Sequence, residues 1–262
     1  MVIETDYYFV WSLHMKNELL HYYPYIKNEQ IIITGTPQFE SHYDSNCIQS
    51  KEVFFSTYQL DLTKKYICYS GDDVTTSPND PIYLEDVAKA VRQLNEEGKN
   101  VGIIFRRCPV DVSNRFDTVL KTYSDVITPI QPKWQKIGSS WNTILPTKED
   151  MSLLANTIYH TEFVINLGSS MVFDYVIFKK PCIYINYDQK KKINPNWSVQ
   201  TVYQFQHFKS MPSQDVVLWW NKKEDLKNII ADKLNTDAME NWKSIILSDY
   251  FNVSEKIINK LK

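Results

Sequence analysis

The sequence predicts an α/β chain with a Rossmann-like parallel sheet and helices on both faces, and three observations carry that prediction. Short apolar runs alternate with stretches of helical apolar spacing from Tyr66 to Leu234. One unit, Thr161 to Asp188 (TEFVINLGSSMVFDYVIFKKPCIYINYD), reads as strand, tight turn, short helix and parallel strand. The composition, 43% hydrophobic and 23% charged over 262 residues, is ordinary for a globular chain and argues against disorder or a fibrous fold.

Taken in order, Tyr7 to Trp11 is a strand, and His14 to Tyr23 has helical spacing that stops before Pro24. Gln30 to Thr34 is a further apolar run, ended by the turn chemistry of Gly35-Thr36-Pro37. Glu40 to Lys65 has no sustained period and reads as an irregular connection, with the main domain boundary inside it. Tyr66 to Tyr69 restarts the strand pattern and is followed by the turn Ser70-Gly71-Asp72-Asp73. A helix from Tyr83 to Glu97 stops at Gly98. Val101 to Phe105 is a strand, Phe116 to Tyr123 a helix and Asp125 to Ile130 a strand; Gln131 to Pro146 has no period and reads as loop. Thr147 to Tyr159 starts a helix with capping-box character and leads into the central unit. Beyond Asp188, a polar loop precedes a strand at Val216 to Trp220, a helix at Glu224 to Leu234 and helical segments from Ala238 and Ser254. The expected division is 1–45, 46–235 and 236–262.

Several function classes are disfavoured. A net charge of −2 provides no basic field for nucleic acid. Cys47, Cys68, Cys108 and Cys182 are irregularly spaced and read as reduced residues, and no Cys or His pair has metal-ligand spacing. The start of the chain has no basic and apolar leader pattern, and no segment is apolar enough to span a bilayer, so a cytoplasmic protein is expected.

In the central unit, Gly168 lets the backbone turn and approach a ligand. Ser169 and Ser170 offer hydroxyls and main-chain N–H groups at a helix start, where an anion is favoured. The alternative is a plain N-capped helix in a parallel sheet. Ligands of such sheets sit at the carboxyl ends of strands, where the loops at Ser70–Asp73, Arg106–Asp111, Gly168–Ser170 and after Tyr187 would gather.

Four stretches, ITGTPQFESHYD (33–44), FRRCPVD (105–111), VINLGSSMVFDYVIFKKPCIYINYD (164–188) and QFQH (204–207), give the chain a family resemblance. It resembles the C-terminal, nucleotide-sugar-binding half of a GT-B glycosyltransferase, akin to CDP-glycerol glycerophosphotransferases and UDP-GlcNAc 2-epimerases of bacterial surface-glycan synthesis. That resemblance implies that Gly168, Ser169 and Ser170 hold the donor diphosphate, that Asp174 binds ribose, and that Gly71 faces the cleft. Arg106 and Arg107 would contact the anion, although Cys108 stands where the family usually has His. Each has a plainer reading: Asp174 as a solvated helix charge, the arginines as partners of strand-end carboxylates, His207 as a packed core residue. Asp72 and Asp73 side by side suggest a metal, but GT-B enzymes stabilise the diphosphate without one, so no metal and no cofactor beyond the nucleotide-sugar substrate is expected.

The resemblance further implies that the acceptor base belongs to an N-terminal acceptor domain, of which Asp6 to Tyr23 with ITGTPQF looks like the last part; His14 and His207 are the candidates within this chain. Three functions stay open. One is a nucleotide-sugar-dependent glycosyltransferase, or its donor-binding half, acting on a glycan or lipid-linked acceptor, with contact to the inner face of the membrane in the lipid-linked case. The others are an epimerase-like or glycerophosphotransferase-like enzyme, and a non-catalytic nucleotide- or partner-binding module. A second copy or a separate acceptor-domain subunit is expected to cover an aromatic face made by Tyr22, Tyr23, Tyr25, Trp242, Tyr250 and Phe251.

Overall fold

The computed structural model describes residues 4–138, 140–231, 236–247 and 252–262. Tyr250 and Phe251, and the end of the helix expected to reach Leu234, lie outside the described residues.

The chain opens with β1 (Tyr8–Val10), α1 (Leu13–Tyr22) and β2 (Ile31–Ile33). The two strands pair in parallel, Tyr8 with Ile31 and Val10 with Ile33, and form a two-stranded sheet of their own. Ser12 caps α1 by accepting from the Met15 N–H. Lys16 fastens the helix to the returning chain by donating to the carbonyls of Asn28 and Ile31.

Residues 40–65, expected to be irregular, contain the helices α2 (Glu40–Tyr43) and α3 (Lys51–Thr57). Two effects override the missing period. Phe54 and Phe55 are buried, and both arms of the Asn156 amide hold the connection, donating to the Cys47 carbonyl at 2.7 Å and accepting from the Gln49 N–H at 2.7 Å.

β3 (Lys65–Ser70), α4 (Asp80–Glu96), β4 (Val101–Arg106), α5 (Asp117–Thr122) and β5 (Ile127–Ile130) follow as expected. The stretch read as loop at 131–146 contains a small antiparallel pair, β6 (Gln135–Lys136) with β7 (Ile144–Leu145), too short for a two-residue period to register. Next come α6 (Lys148–Tyr159), capped by Thr147, then β8 (Val164–Asn166), α7 (Met171–Ile177) and β9 (Cys182–Ile185). The chain ends with α8 (Val199–Val202), β10 (Leu218–Trp220), α9 (Leu226–Ala231), α10 (Asp237–Ile246) and α11 (Val253–Leu261).

The main sheet has six parallel strands in the order β10-β9-β8-β3-β4-β5, flanked by helices. Apart from the first residues of β3 and β4, its central strands are buried, since both faces are covered, which is why they read as continuous apolar runs. From β3 the chain builds outward through β4 and β5, then returns to the other side of β3 to place β8, β9 and β10. The order therefore reverses between β3 and β8, and the loops leaving those two strands diverge there. A crevice opens at such a point on the carboxyl edge.

Trp242, expected on an exposed aromatic face, is 1% exposed. Its ring meets Phe173 at 4.8 Å and its Nε1–H donates to Ser210 Oγ, so α10 is part of the core. Its apolar stripe finds α7 and the 207–216 segment, which the sequence does not announce as neighbours. Tyr22 and Tyr25 do lie exposed, and Tyr23 is half-buried.

Candidate functional site

A cavity of about 650 Å³ opens at the reversal point between β3 and β8. That volume falls in the range of small-molecule sites. Its floor is the Gly168–Ser170 turn and Phe173; one wall is Asp72 and Thr76 from the loop after β3. Opposite stand Trp11, His14, Met15 and Glu18, and the 202–210 segment closes the remaining side. The N-terminal unit thus forms part of the site. It is tied across to the 202–210 segment by Gln206, whose Nε2 donates to Glu18 Oε1 at 2.7 Å and to Tyr22 Oη at 3.1 Å.

The floor depends on Gly168, which adopts φ +65°, a left-handed conformation. A Cβ there would lie 2.7 Å from Phe208 Cζ and 3.1 Å from Val202 Cγ1, so glycine is required both by the backbone and by the closeness of the wall. The turn is held from below: the Ser169 N–H donates to Asn166 Oδ1 at 2.8 Å, and Tyr184 Oη donates to the Ser169 carbonyl at 2.9 Å. Ser169 Oγ accepts from the Met171 N–H. The Ser170 N–H donates to no other described residue, and Ser170 is exposed to the cavity. Since α7 spans only seven residues, the donors of the turn matter more here than the helix dipole.

His14 and His207, the two histidines singled out as possible bases, both line this cavity. His14 Nε2 lies 3.6 Å from Glu18 Oε2. Burial of part of the His207 ring lowers its pKa from the usual 6.5, opposed by a hydrogen bond to the Gly168 backbone. A neutral imidazole able to accept a proton near pH 7 therefore stands beside the turn.

The other expected contacts are placed elsewhere. Asp174 is buried on the side of α7 away from the cavity, where Oδ1 meets His42 Nε2 at 2.6 Å. It is therefore not a solvated helix charge, and it does not line the cavity. Arg106 is buried and engages Asp150 Oδ2 at 2.7 Å, while Asp150 also accepts from Trp134 Nε1 and the Lys133 N–H. The plainer ion-pair reading holds for it. The Arg107 guanidinium lies 5.4 Å from the centroid of the Phe116 ring, and like Arg106 it is absent from the cavity lining. Arg106 ends β4 and Arg107 follows it, and β4 is separated from the reversal point by β3. Gly71 is buried behind the wall; its N–H donates to the Arg106 carbonyl, and a Cβ would press on Phe105 at 3.0 Å and Asp80 Oδ2 at 3.2 Å.

Three side chains not identified as site residues from sequence help build it. Asp72 lines the wall. Buried Asp80 sits behind it, with Oδ2 accepting the Asp72 N–H at 2.7 Å. Arg115 clamps the loop, donating from Nη2 to the Asp72 carbonyl at 2.5 Å, from Nη1 to the Ser77 carbonyl and from Nε to Asp111 Oδ2. The doubled acid at 72–73 was visible, but the clamp joins residues some forty positions apart and left no local pattern.

No protein-family model and no curated protein matches the sequence. Among solved structures, the chain is similar to the wall teichoic acid polymerase TagF, with a TM-score of 0.59 at 15% identity over 98% of this chain and 56% of that one. It is similar to S. aureus MnaA in complex with UDP, with a TM-score of 0.58 at 15% identity over 98% of this chain and 60% of the other. It is also similar to the Methanocaldococcus jannaschii UDP-GlcNAc 2-epimerase in complex with UDP-GlcNAc and UDP, with a TM-score of 0.53, 15% identity and coverage of 98% and 61%. The fold is therefore of the GT-B type. The chain spans about three-fifths of the length of each.

Proposed function

We propose that the chain binds a nucleoside diphosphate sugar in the cavity between β3 and β8, as the donor-binding part of a glycosyltransferase of surface-polysaccharide synthesis. The observation that carries this reading is the Gly168–Ser170 turn, held open by its backbone conformation, forming the floor of a cavity at the point where the strand order reverses. The diphosphate would lie against the Ser170 N–H and the two serine hydroxyls, and departing negative charge would be stabilised there by fixed donors. His207 or His14 would take the acceptor proton, a role in which positioned imidazoles contribute about 10²–10⁴-fold.

A second reading, an epimerase-like or glycerophosphotransferase-like reaction, is supported by the mixture of a polymerase and epimerases among the structural neighbours. Product analysis separates the two: transfer to a hydroxyl acceptor marks the first, and isomerised sugar nucleotide the second. Nucleotide binding without either reaction would mark a binding module.

Isothermal calorimetry with UDP, CDP, GDP and ADP is expected to reveal one preferred base. Replacing both Ser169 and Ser170 by Ala is expected to weaken the preferred nucleotide by about 1–3 kcal/mol, the cost of losing hydroxyl contacts to a charged group. Equal affinity in the double variant would remove the hydroxyls from the diphosphate site.

A further inference from the structure

Among the described residues, the cavity is lined by two carboxylates, Asp72 and Glu18, and by no lysine or arginine. Glu18 already accepts from Gln206. The Asp72 carboxyl accepts from the Asp73 N–H and has no side-chain hydrogen-bond partner among the described residues, while the main chain of Asp72 is fixed by Asp80 and Arg115. Asp72 leaves β3 and the Gly168–Ser170 turn follows β8, so carboxyl and turn flank the same crevice. Placing an anionic ligand there beside an ionised carboxylate, with no cation between them, is repulsive, and the low dielectric of a cavity magnifies the repulsion.

We infer that Asp72 carries a proton in the liganded cavity and donates it in a hydrogen bond to a phosphate oxygen of the ligand, so that binding is coupled to proton uptake. This inference rests on the nucleoside-diphosphate reading of the site. It assigns a role to a carboxyl that otherwise opposes that reading.

The groups facing Asp72 point the same way. Burial first, and then the charges of Asp80 and Asp73, push the Asp72 pKa up to about 8, while the hydrogen bond from the Asp73 N–H and the charge of Arg115 oppose the rise. Asp80 itself is raised by burial to about 6 and is ionised above neutrality. Cys108 is raised by burial to about 11, and Tyr184 and Tyr203 are held well above their ordinary value, so all three keep their protons between pH 7.5 and 9.5. Across the cavity, the lowered His207 is already neutral in that window. His14 and Glu18 complete the facing set. The ligand's own phosphate titrates near pH 6, below the window.

The sign follows directly. The proton is present below about pH 8 and is lost above it, so affinity is retained at pH 7 and falls as pH rises, approaching tenfold per unit when one proton is linked. Calorimetry with the preferred nucleoside diphosphate, and in parallel with methyl phosphate, whose last proton is also lost near pH 6, in buffers of differing ionisation enthalpy from pH 7.5 to 9.5 should show proton uptake growing towards one. Asp72→Asn keeps a hydrogen-bond donor without a titratable proton and is expected to bind with a flat profile across the window. His14→Gln is expected to retain the alkaline loss.

A flat wild-type profile, or an unchanged slope in Asp72→Asn, overturns the inference and leaves the nucleotide reading standing. If methyl phosphate binds with proton uptake that Asp72→Asn abolishes while all four nucleotides fail, the protonated Asp72 contact to a phosphate oxygen stands and the nucleotide reading falls. If neither class of ligand binds at any pH, both fall.

Discussion

Gly168→Ala is expected to lower the melting temperature and to weaken nucleoside-diphosphate binding at least tenfold. At φ +65° an added Cβ meets left-handed backbone strain of about 1–2 kcal/mol. The same Cβ would stand 2.7 Å from Phe208 Cζ, and relieving such overpacking typically costs about 1–3 kcal/mol. Together these amount to roughly 2–5 kcal/mol, and at about 2–4 °C per kcal/mol for chains of this size the change is readily seen in a thermal melt. Binding suffers because Phe208, Val202 and Tyr203, which must retreat, belong to or adjoin the wall of the cavity whose floor is Gly168. Combining Gly168→Ala with Phe208→Leu should return part of the loss, since the shorter side chain removes the clash but not the backbone strain; the coupling is read from a double-mutant cycle. A Gly168→Ala protein with wild-type melting and affinity would remove this turn from the site.

The second large effect concerns the pair buried beneath α7. His42 and Asp174 meet at 2.6 Å with both side chains almost wholly enclosed, joining α2 to the helix that follows the ligand turn. Asp174→Ala or His42→Ala leaves the partner buried without its hydrogen bond, which is expected to cost about 3–5 kcal/mol. Replacing both residues by Leu is expected to cost less than either single change, because desolvation of both polar groups is relieved together. Denaturant unfolding of the three variants checks the ordering. Asp174→Asn should leave discrimination between ribo- and 2′-deoxynucleotides unchanged, since this carboxyl does not line the cavity; a selective loss of ribonucleotide affinity would restore the ribose role that the sequence suggests.

Asp174 shows where reading along the chain ends. Its position, four residues after Ser170, is one helical turn from the proposed anion site, and spacing alone sets it on the side of the Gly168–Ser170 turn. Which way that face points is decided by what packs on α7. His42 lies 132 positions earlier and reaches Asp174 only because the 37–43 segment folds over the helix. Arg106 has a similar history: the strand end was legible, but Asp150 consumes the charge from a helix beginning more than forty residues later. Asp72 was legible as a doubled acid, whereas its significance comes from Asp80 and Arg115 holding its backbone and from the absence of lysine and arginine among the described residues that line the cavity.

The N-terminal unit divides in the same manner. Its strand and helix were plain from spacing, and His14 was singled out there. That His14 stands in one cavity with His207 and Ser170 is a matter of tertiary packing, visible in the bridge from Gln206 to Glu18 and Tyr22.

By itself the sequence determined the alternation of strands and helices, the parallel sheet and the turn at Gly168–Ser170. Those features rest on local physics: apolar period, capping side chains and the backbone freedom of glycine. Only the tertiary structure decided strand order, and with it the reversal between β3 and β8 that opens the cavity. It also decided which charged side chains meet the cavity and which are spent on buried partners, because a charge removed from water must find its counterpart through space, without regard to distance along the chain.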